Sequence, residues 1–391
     1  MTHVAASSAI PRTLAVINEG LETGRELGTQ LAVSLNGQRV AEVNVGADGS
    51  GGSMRPETML NWFSMTKAST AVSILQLWER GLVGLDDPVV KHLPEFGRGG
   101  PDKDKVTVRH LLTHTGGFRF GDGGGPNAAP GDSPLGRTLH ENLERIYDAP
   151  LEAGWVPGEK AGYHPTSGMS VLAGVIEVVS GESFDAYVRQ HVFEPLEMSD
   201  CWIGMPQPAI EAALAAGTIG TMHRRTPEGE FVPLAALSTP FALGLVGPGA
   251  SGRGPMKQLV NLYEALVAGG QRHGERILGQ QTVEAMLARH RVGMHDHTFG
   301  ITIDWSLGLH VDSAHFGRHC SPRAAGHGGA QSSVAFCDPR YGLAVACICN
   351  GMIQTEHAPR MERIFSALYV DLGLVAADAP GRDHPYPKVA A

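Results

Sequence analysis

Apolar positions along this chain fall into helical and alternating patterns. Leu14, Ile17 and Leu21 follow Pro11 at helical spacing and predict a helix that opens on the proline. The runs QLAVSL and RVAEVNV flank Asn36-Gly37, a pair that readily takes two positive φ angles, and so predict a β-hairpin. A helical pattern begins near Ser64 and passes through Ala71, Ile74, Leu75 and Trp78 to Gly81. Helices and loops mix over 82–250, with helices predicted at 106–114, 138–147, 168–179 and 184–192. Two more are predicted at 256–268 and 280–290. Strand-like runs follow: FGITIDW, SSVAFCD and GLAVACIC, the last two joined by a turn at 338–342. A terminal helix is predicted over 357–372, and the Ala/Pro/Gly-rich tail 376–391 is expected to fray.

Strands therefore sit early and late, with helices between. This predicts an α/β (α+β) fold: one antiparallel sheet built from both chain ends and flanked by helices, with a mostly helical lobe inserted. The sheet lobe is expected at 10–81 and 251–372, and the helical lobe at 82–250. Residues 121–136, GDGGGPNAAPGDSPLG, are too rich in Gly and Pro for regular structure and read as a linker or a lid.

Composition narrows the partners. Hydrophobic residues make up 42% of 391, enough for a sizeable core and too many for a disordered chain. The net charge is −9, with no Lys/Arg stripe to neutralise phosphates, so no nucleic acid is expected. Apolar stretches such as VACIC fall far short of the roughly 20 residues that span a bilayer, so no membrane partner is expected. The opening MTHVAASSAIPRTLAV lacks a basic segment followed by a signal-peptide core, and a cytoplasmic location is expected. Five cysteines form no CxxC pair; Cys347 and Cys349 should face one side of a strand, as buried free thiols.

The leading chemical candidate is FSMTK, residues 63–67. Ser64 and Lys67 are three apart at a predicted helix start, so hydroxyl and amine share a face. A serine hydroxyl becomes a nucleophile when a neighbour takes its proton, and a lysine with a depressed pKa can do so.

This segment resembles the active-site serine segment of the class C β-lactamase-like serine hydrolases, the penicillin-binding-protein/β-lactamase fold. That superfamily also holds D-aminopeptidases, esterases and some acyltransferases. LVGLDDPVVKHLPEF (82–96), VTVRHLLTHTGGF (106–118), VPGEKAGYHPTSGMSVLAGVIEVVSG (156–181) and GHGGAQSSVAFCDPRYGLAVACICNG (326–351) resemble its later segments in the family's order. The likeness covers about residues 10–370.

The resemblance implies that Ser64 is the nucleophile, Lys67 its partner and Tyr163 the residue that accepts and returns the proton. It places His327-Gly328-Gly329 where β-lactamases carry Lys-Thr-Gly, as a substrate-binding strand, and makes the backbone N–H groups of Ser64 and Ala330 the oxyanion hole. His114, in LTHTGG, is implied to be a structural turn. Two departures stand out. Tyr163 is followed by His164 and Pro165, not by the x-Asn of many relatives, and the third motif has no Lys. Both remove groups that hold a β-lactam, and both suit esterase or acyltransferase members.

No metal or cofactor is expected: His295-Asp296-His297 and His310, His315 and His319 match no zinc spacing. Trp155, Trp202, Trp305 and Phe118 are expected in core packing. The function expected is serine-dependent acyl transfer from a small-molecule ester. Water as acceptor makes an esterase; an amine or alcohol makes a transacylase. The alternatives are a β-lactamase or D-aminopeptidase-type amide hydrolase, or a non-catalytic binding protein on the same fold, which would have lost one of the three residues.

Overall fold

The computed structural model describes residues 3–5, 9–119 and 136–383. The chain opens with β1 (His3–Ala5), α1 (Pro11–Glu22), β2 (Gly28–Leu35) and β3 (Gln38–Gly46). Asn36 and Gly37 join β2 to β3 at φ 50° and 76°, the positive pair that suits the twist of a two-residue hairpin. Next come α2 (Lys67–Glu79), α3 (Val108–Leu112), α4 (Leu139–Asp148), α5 (Ser167–Ser180) and α6 (Phe184–Val188). They are followed by α7 (Gln207–Ala215), α8 (Pro240–Gly244), α9 (Met256–Val267) and α10 (Gln280–Leu287). The chain then returns to the sheet as β4 (His310–Val311), β5 (Ala325–Gly329), β6 (Ser333–Asp338) and β7 (Leu343–Cys349), before α11 (His357–Asp371).

The sheet runs β1-β3-β2-β7-β6-β5-β4, every neighbour antiparallel. Strand β7 sits centrally and is buried on both faces, which is why LAVACIC is apolar at every position. Leu343, Val345, Cys347 and Cys349 pack with Ile17 of α1 and Ile364 and Leu368 of α11. Ala344, Ala346 and Ile348 join the other core, with Leu259 and Tyr263 of α9 and the helices around α2. The two cysteines thus share a side, and all five are buried.

Some elements depart from the pattern-based expectation. FGITIDW is no strand of the main sheet: Ile301–Thr302 pairs with His295–Asp296, and Trp305 makes isolated bridges to Arg291 and His310. Its alternating Phe299, Ile303 and Trp305 instead close a small cluster around Tyr163. The helix expected from residue 106 starts at Val108, because Thr107 caps it by accepting from the His110 N–H. The helix expected at 184–192 is α6 followed by a π turn, Arg189–Phe193, and that expected at 280–290 stops at Leu287. The expected frayed tail is tied down where it is described: Arg382 pairs with Asp312 at 2.8 Å and its N–H donates to Arg318 O. The segment 121–136 lies outside the described residues apart from Gly136. Among the described residues, no helix is long and apolar enough to cross a membrane.

Imidazoles are packed into the interior. His114, His164, His310, His315, His327 and His357 are buried. Burial disfavours the imidazolium and pulls each below its ordinary range, His164 to about 3 and His315 to about 4. These rings are neutral in the folded chain, whereas in the unfolded chain they protonate near pH ~6.5. Between that pH and about 4 the unfolded state binds more protons, so stability falls as pH falls, by about 1.4 kcal/mol per pH unit for each fully differing histidine. Urea unfolding across this window should show several protons taken up. His164→Phe, which keeps the ring stacked on Phe118, should lower the slope by about one proton; an unchanged slope contradicts the account.

Candidate active site

The segment ahead of α2 is held on both sides before it reaches Ser64. Leu60–Asn61 pairs with Arg253–Gly254, the Trp62 N–H donates to Gly252 O at 2.7 Å, and the Trp62 indole N–H donates to Gly254 O at 2.8 Å. Phe63 then takes φ 50°, a left-handed conformation that costs a non-glycine residue of order 1–3 kcal/mol. That reversal starts the short 3-10 turn Phe63–Thr66 that carries Ser64 into α2. Thr66 locks the turn: its hydroxyl donates to Phe63 O at 2.6 Å and accepts from the Gly252 N–H at 2.9 Å. Helix α2 is buried all round from Lys67 to Leu77 and is rich in small residues, which lets neighbours pack close on every side.

Three segments converge on Ser64. Lys67, fully buried, donates through Nζ to Ser64 Oγ at 3.0 Å, to Pro165 O at 2.7 Å and to Gly249 O at 2.8 Å. Tyr163 donates its phenol to the same Ser64 Oγ at 2.7 Å. The sequence candidates Ser64, Lys67 and Tyr163 are therefore in one hydrogen-bonded group. Burial pushes the Tyr163 hydroxyl well above its usual pKa, and the hydrogen bond to Ser64 pulls the other way. The Lys67 ammonium lies 5.0 Å from the tyrosine ring centroid and would stabilise negative charge there. A hydroxyl between an amine and a phenol has a proton acceptor and a proton donor in direct reach, the layout of an activated oxygen nucleophile.

Tyr163 is oriented by residues that motif reading passed over. Its N–H donates to Asp296 Oδ1 at 3.1 Å, and its carbonyl accepts from Thr298 Oγ1 at 3.0 Å. Its ring stacks on Phe299 at 4.7 Å. Asp296 also accepts from the N–H groups of Thr298 and Phe299, and pairs with Arg291 at 3.1 Å, both side chains almost wholly buried. Arg291 in turn donates to Thr113 O and Ile303 O. The available signal was an Asp with Thr two residues on, which favours a side-chain-capped turn. His295 and His297 flank Asp296 with ring centroids 5.3 Å apart. Among the described residues, no three His, Cys, Asp or Glu side chains are grouped as a metal would need.

The fourth segment is the end of β5. A Cβ built on Gly329 would lie 2.2 Å from Trp62 O and 2.3 Å from Ser333 Oγ, so only glycine lets this strand meet the Trp62–Phe63 backbone. Ala330, exposed, follows at the turn, and Gln331 takes φ 61°. The turn is braced from behind: Gln331 O accepts from Arg360 Nη2 at 3.0 Å, and Arg360 forms a buried pair with Glu26 at 2.8 Å. Gly328 is half-buried with space around it. The His327 ring packs inward, 4.6 Å from His310 and 5.8 Å from Tyr163, and its Nδ1 lies 2.6 Å from Gly328 O. His114 sits just past the end of α3 at φ 56°, and its ring Nδ1 accepts from the His164 N–H. Trp305 is buried beside it at 4.4 Å, and Phe118 stacks on His164. Trp155 is buried too, and Trp202 is half-buried under the Arg189 guanidinium.

Comparison with known proteins gives the family and the fold. The esterase/beta-lactamase LipL of Mycobacterium tuberculosis is 27% identical over 384 residues, covering 90% of this chain and 85% of its own length. The esterase EstB of Burkholderia gladioli is 33% identical over 214 residues, covering 52% of this chain and 54% of its own. The crystal structure of a penicillin-binding protein homologue from Caulobacter crescentus superposes with TM-score 0.79 at 25% identity, over 95% of this chain and 100% of that one. The family model described as Beta-lactamase matches residues 14–369, and the chain belongs to that family.

Proposed function

We propose that this protein is a serine esterase that works through an acyl-enzyme on Ser64. One observation carries the reading: Ser64 Oγ accepts hydrogen bonds from both Lys67 Nζ and Tyr163 Oη, which come from segments about a hundred residues apart. Curated relatives named as esterases and as an acyltransferase support serine acyl transfer on this fold, and the chain is an enzyme of that broad class.

The geometry supports a particular proton path. Two carbonyls, Pro165 O and Gly249 O, take N–H groups of Lys67, and a third direction meets Ser64 Oγ. In the amine form that direction carries the lone pair, so Lys67 takes the Ser64 proton as the oxygen attacks an ester carbonyl. Burial keeps Tyr163 a phenol at rest, so it donates its proton to the departing alkoxide. The tyrosinate then sits beside the new Lys67 ammonium. In the second half-reaction water gives a proton to Tyr163 and attacks the acyl group, and Ser64 recovers its proton from Lys67. Ester and water become acid and alcohol, with every group restored. The backbone N–H groups of Ser64 and Ala330 serve as oxyanion donors, a role supported by the close approach of Gly329 to Trp62–Phe63.

Pro165, where many family members carry Asn, and the absence of Lys at 327–329 favour an ester over a β-lactam. The same acyl-enzyme passed to an amine or alcohol would make a transacylase; the names of LipL and EstB favour water.

Ser64→Ala should abolish hydrolysis of a chromogenic short-chain ester, and Tyr163→Phe should lower kcat by about 10²–10⁴-fold. Wild-type turnover in Ser64→Ala overturns the reading. Gly329→Ala should cost about 1–3 kcal/mol by overpacking and lower kcat, because Trp62 or the turn must shift. Gly328→Ala, whose Cβ meets nothing nearer than 3.5 Å, should be close to neutral in urea unfolding; equal effects of the two would contradict the geometry.

A further inference from the structure

Arg253 carries a buried charge that no carboxylate among the described residues neutralises. It pairs across the backbone with Asn61, three residues before Ser64, and is only 3% exposed. Among the described residues no carboxylate forms an ion pair with it. Its one hydrogen bond through the guanidinium is Nη2 to Leu237 O at a long 3.4 Å, and Nε has no partner. Burial alone pulls the group down to about 10, so it remains a cation at neutral pH. Compare Arg291 and Arg360, equally buried, each with a carboxylate within 3.1 Å. A buried cation without a counter-ion is costly, and an apolar side chain of similar size would serve packing better.

Arg253 lines a cavity of about 40 Å³ with Asn61, Arg137, Thr166, Ser170, Leu245 and Val246. At roughly 10–15 Å³ for each water, that is room for a small polar group with its solvent. Thr166 Oγ1, in the wall, is buried without a hydrogen-bond partner. Two backbone stretches in that wall are those that hold Lys67: Gly249 accepts from its Nζ, and Thr166 follows Pro165, which does the same. The cavity therefore shares a wall with Lys67, the hydrogen-bond partner of the reacting serine.

We propose that Arg253 and this cavity bind a carboxylate carried on the acyl chain of the substrate, so that the preferred donors are half-esters of aliphatic dicarboxylic acids. This rests on the reading of Ser64 as the acylated residue. Arg253 presents planar N–H donors suited to two carboxylate oxygens, the unpartnered hydroxyl of Thr166 offers a further polar contact, and Leu245 and Val246 add apolar wall. The acidic chain as a whole would not attract such a substrate, so a local cation has to.

The test compares 4-nitrophenyl half-esters of succinic, glutaric and adipic acid with neutral 4-nitrophenyl esters of equal chain length. Wild type should favour at least one half-ester by about tenfold or more in kcat/KM, through KM. Arg253→Met should lose about tenfold or more on that half-ester and stay within about twofold on the neutral ester. Equal losses on both, or none, overturn the proposal. A binding readout needs no turnover: the matching free dicarboxylate should raise the Tm of wild type and of Ser64→Ala, but not of Arg253→Met, and the diamide should raise none. If Arg253→Met does not fold, wild type alone decides. The dicarboxylate should compete with neutral-ester hydrolysis and the diamide should not; equal inhibition by both overturns the proposal. Full activity in Ser64→Ala would instead sink the nucleophile reading, while the Tm comparison still judges Arg253 by itself.

Discussion

The Lys67 amine is the point on which the rest of the site depends. Among the described residues it donates to Ser64 on its own turn, to Pro165 ahead of α5 and to Gly249 in the chain leading to α9. No two of these segments are adjacent in sequence. A buried lysine without acceptors is unfavourable, so the fold that buries Lys67 must bring two carbonyls and a hydroxyl to it. The group that can take the serine proton is thus also the group that fixes where Pro165, and Tyr163 two residues before it, can lie.

Around that centre the chain uses buried ion pairs as braces. Arg291 and Asp296 hold the backbone of Tyr163, and Arg360 and Glu26 hold the carbonyl of Gln331 behind the Ala330 turn. Both pairs are almost wholly out of water, where the gain in stability over an apolar pair is small or absent. Their fork-shaped donors instead set positions: each arginine reaches main-chain carbonyls as well as its carboxylate. Backbone strain is kept at the same places, Phe63 before Ser64 and Gln331 after Ala330, both at positive φ.

Much of this was legible in the sequence because it is local. Asn36-Gly37 encodes its hairpin through φ preference, LAVACIC encodes a strand buried on both faces, and Ser64 with Lys67 encodes a shared helix face. That Tyr163 reaches Ser64 was legible only through likeness to a family, since nothing local links the two residues. What stayed hidden is non-local or carried by backbone. Gly249 contributes a carbonyl, which any residue has, and Asp296 looked like part of a histidine cluster until its three N–H partners were in view. FGITIDW misled because alternation marks one buried face without saying what covers it; here the cover is Tyr163 and its neighbours, not a strand.

The central claim is that Ser64 becomes acylated because Lys67 and Tyr163 meet at its oxygen. The most direct measurement is acid quenching of the protein during turnover of an activated ester, followed by mass spectrometry of the intact chain and its peptides. The account predicts a mass increase equal to one acyl group, on the peptide holding Ser64. An acyl group found on another residue, or turnover with no covalent species on Ser64 under conditions that trap acyl-enzymes, would contradict it.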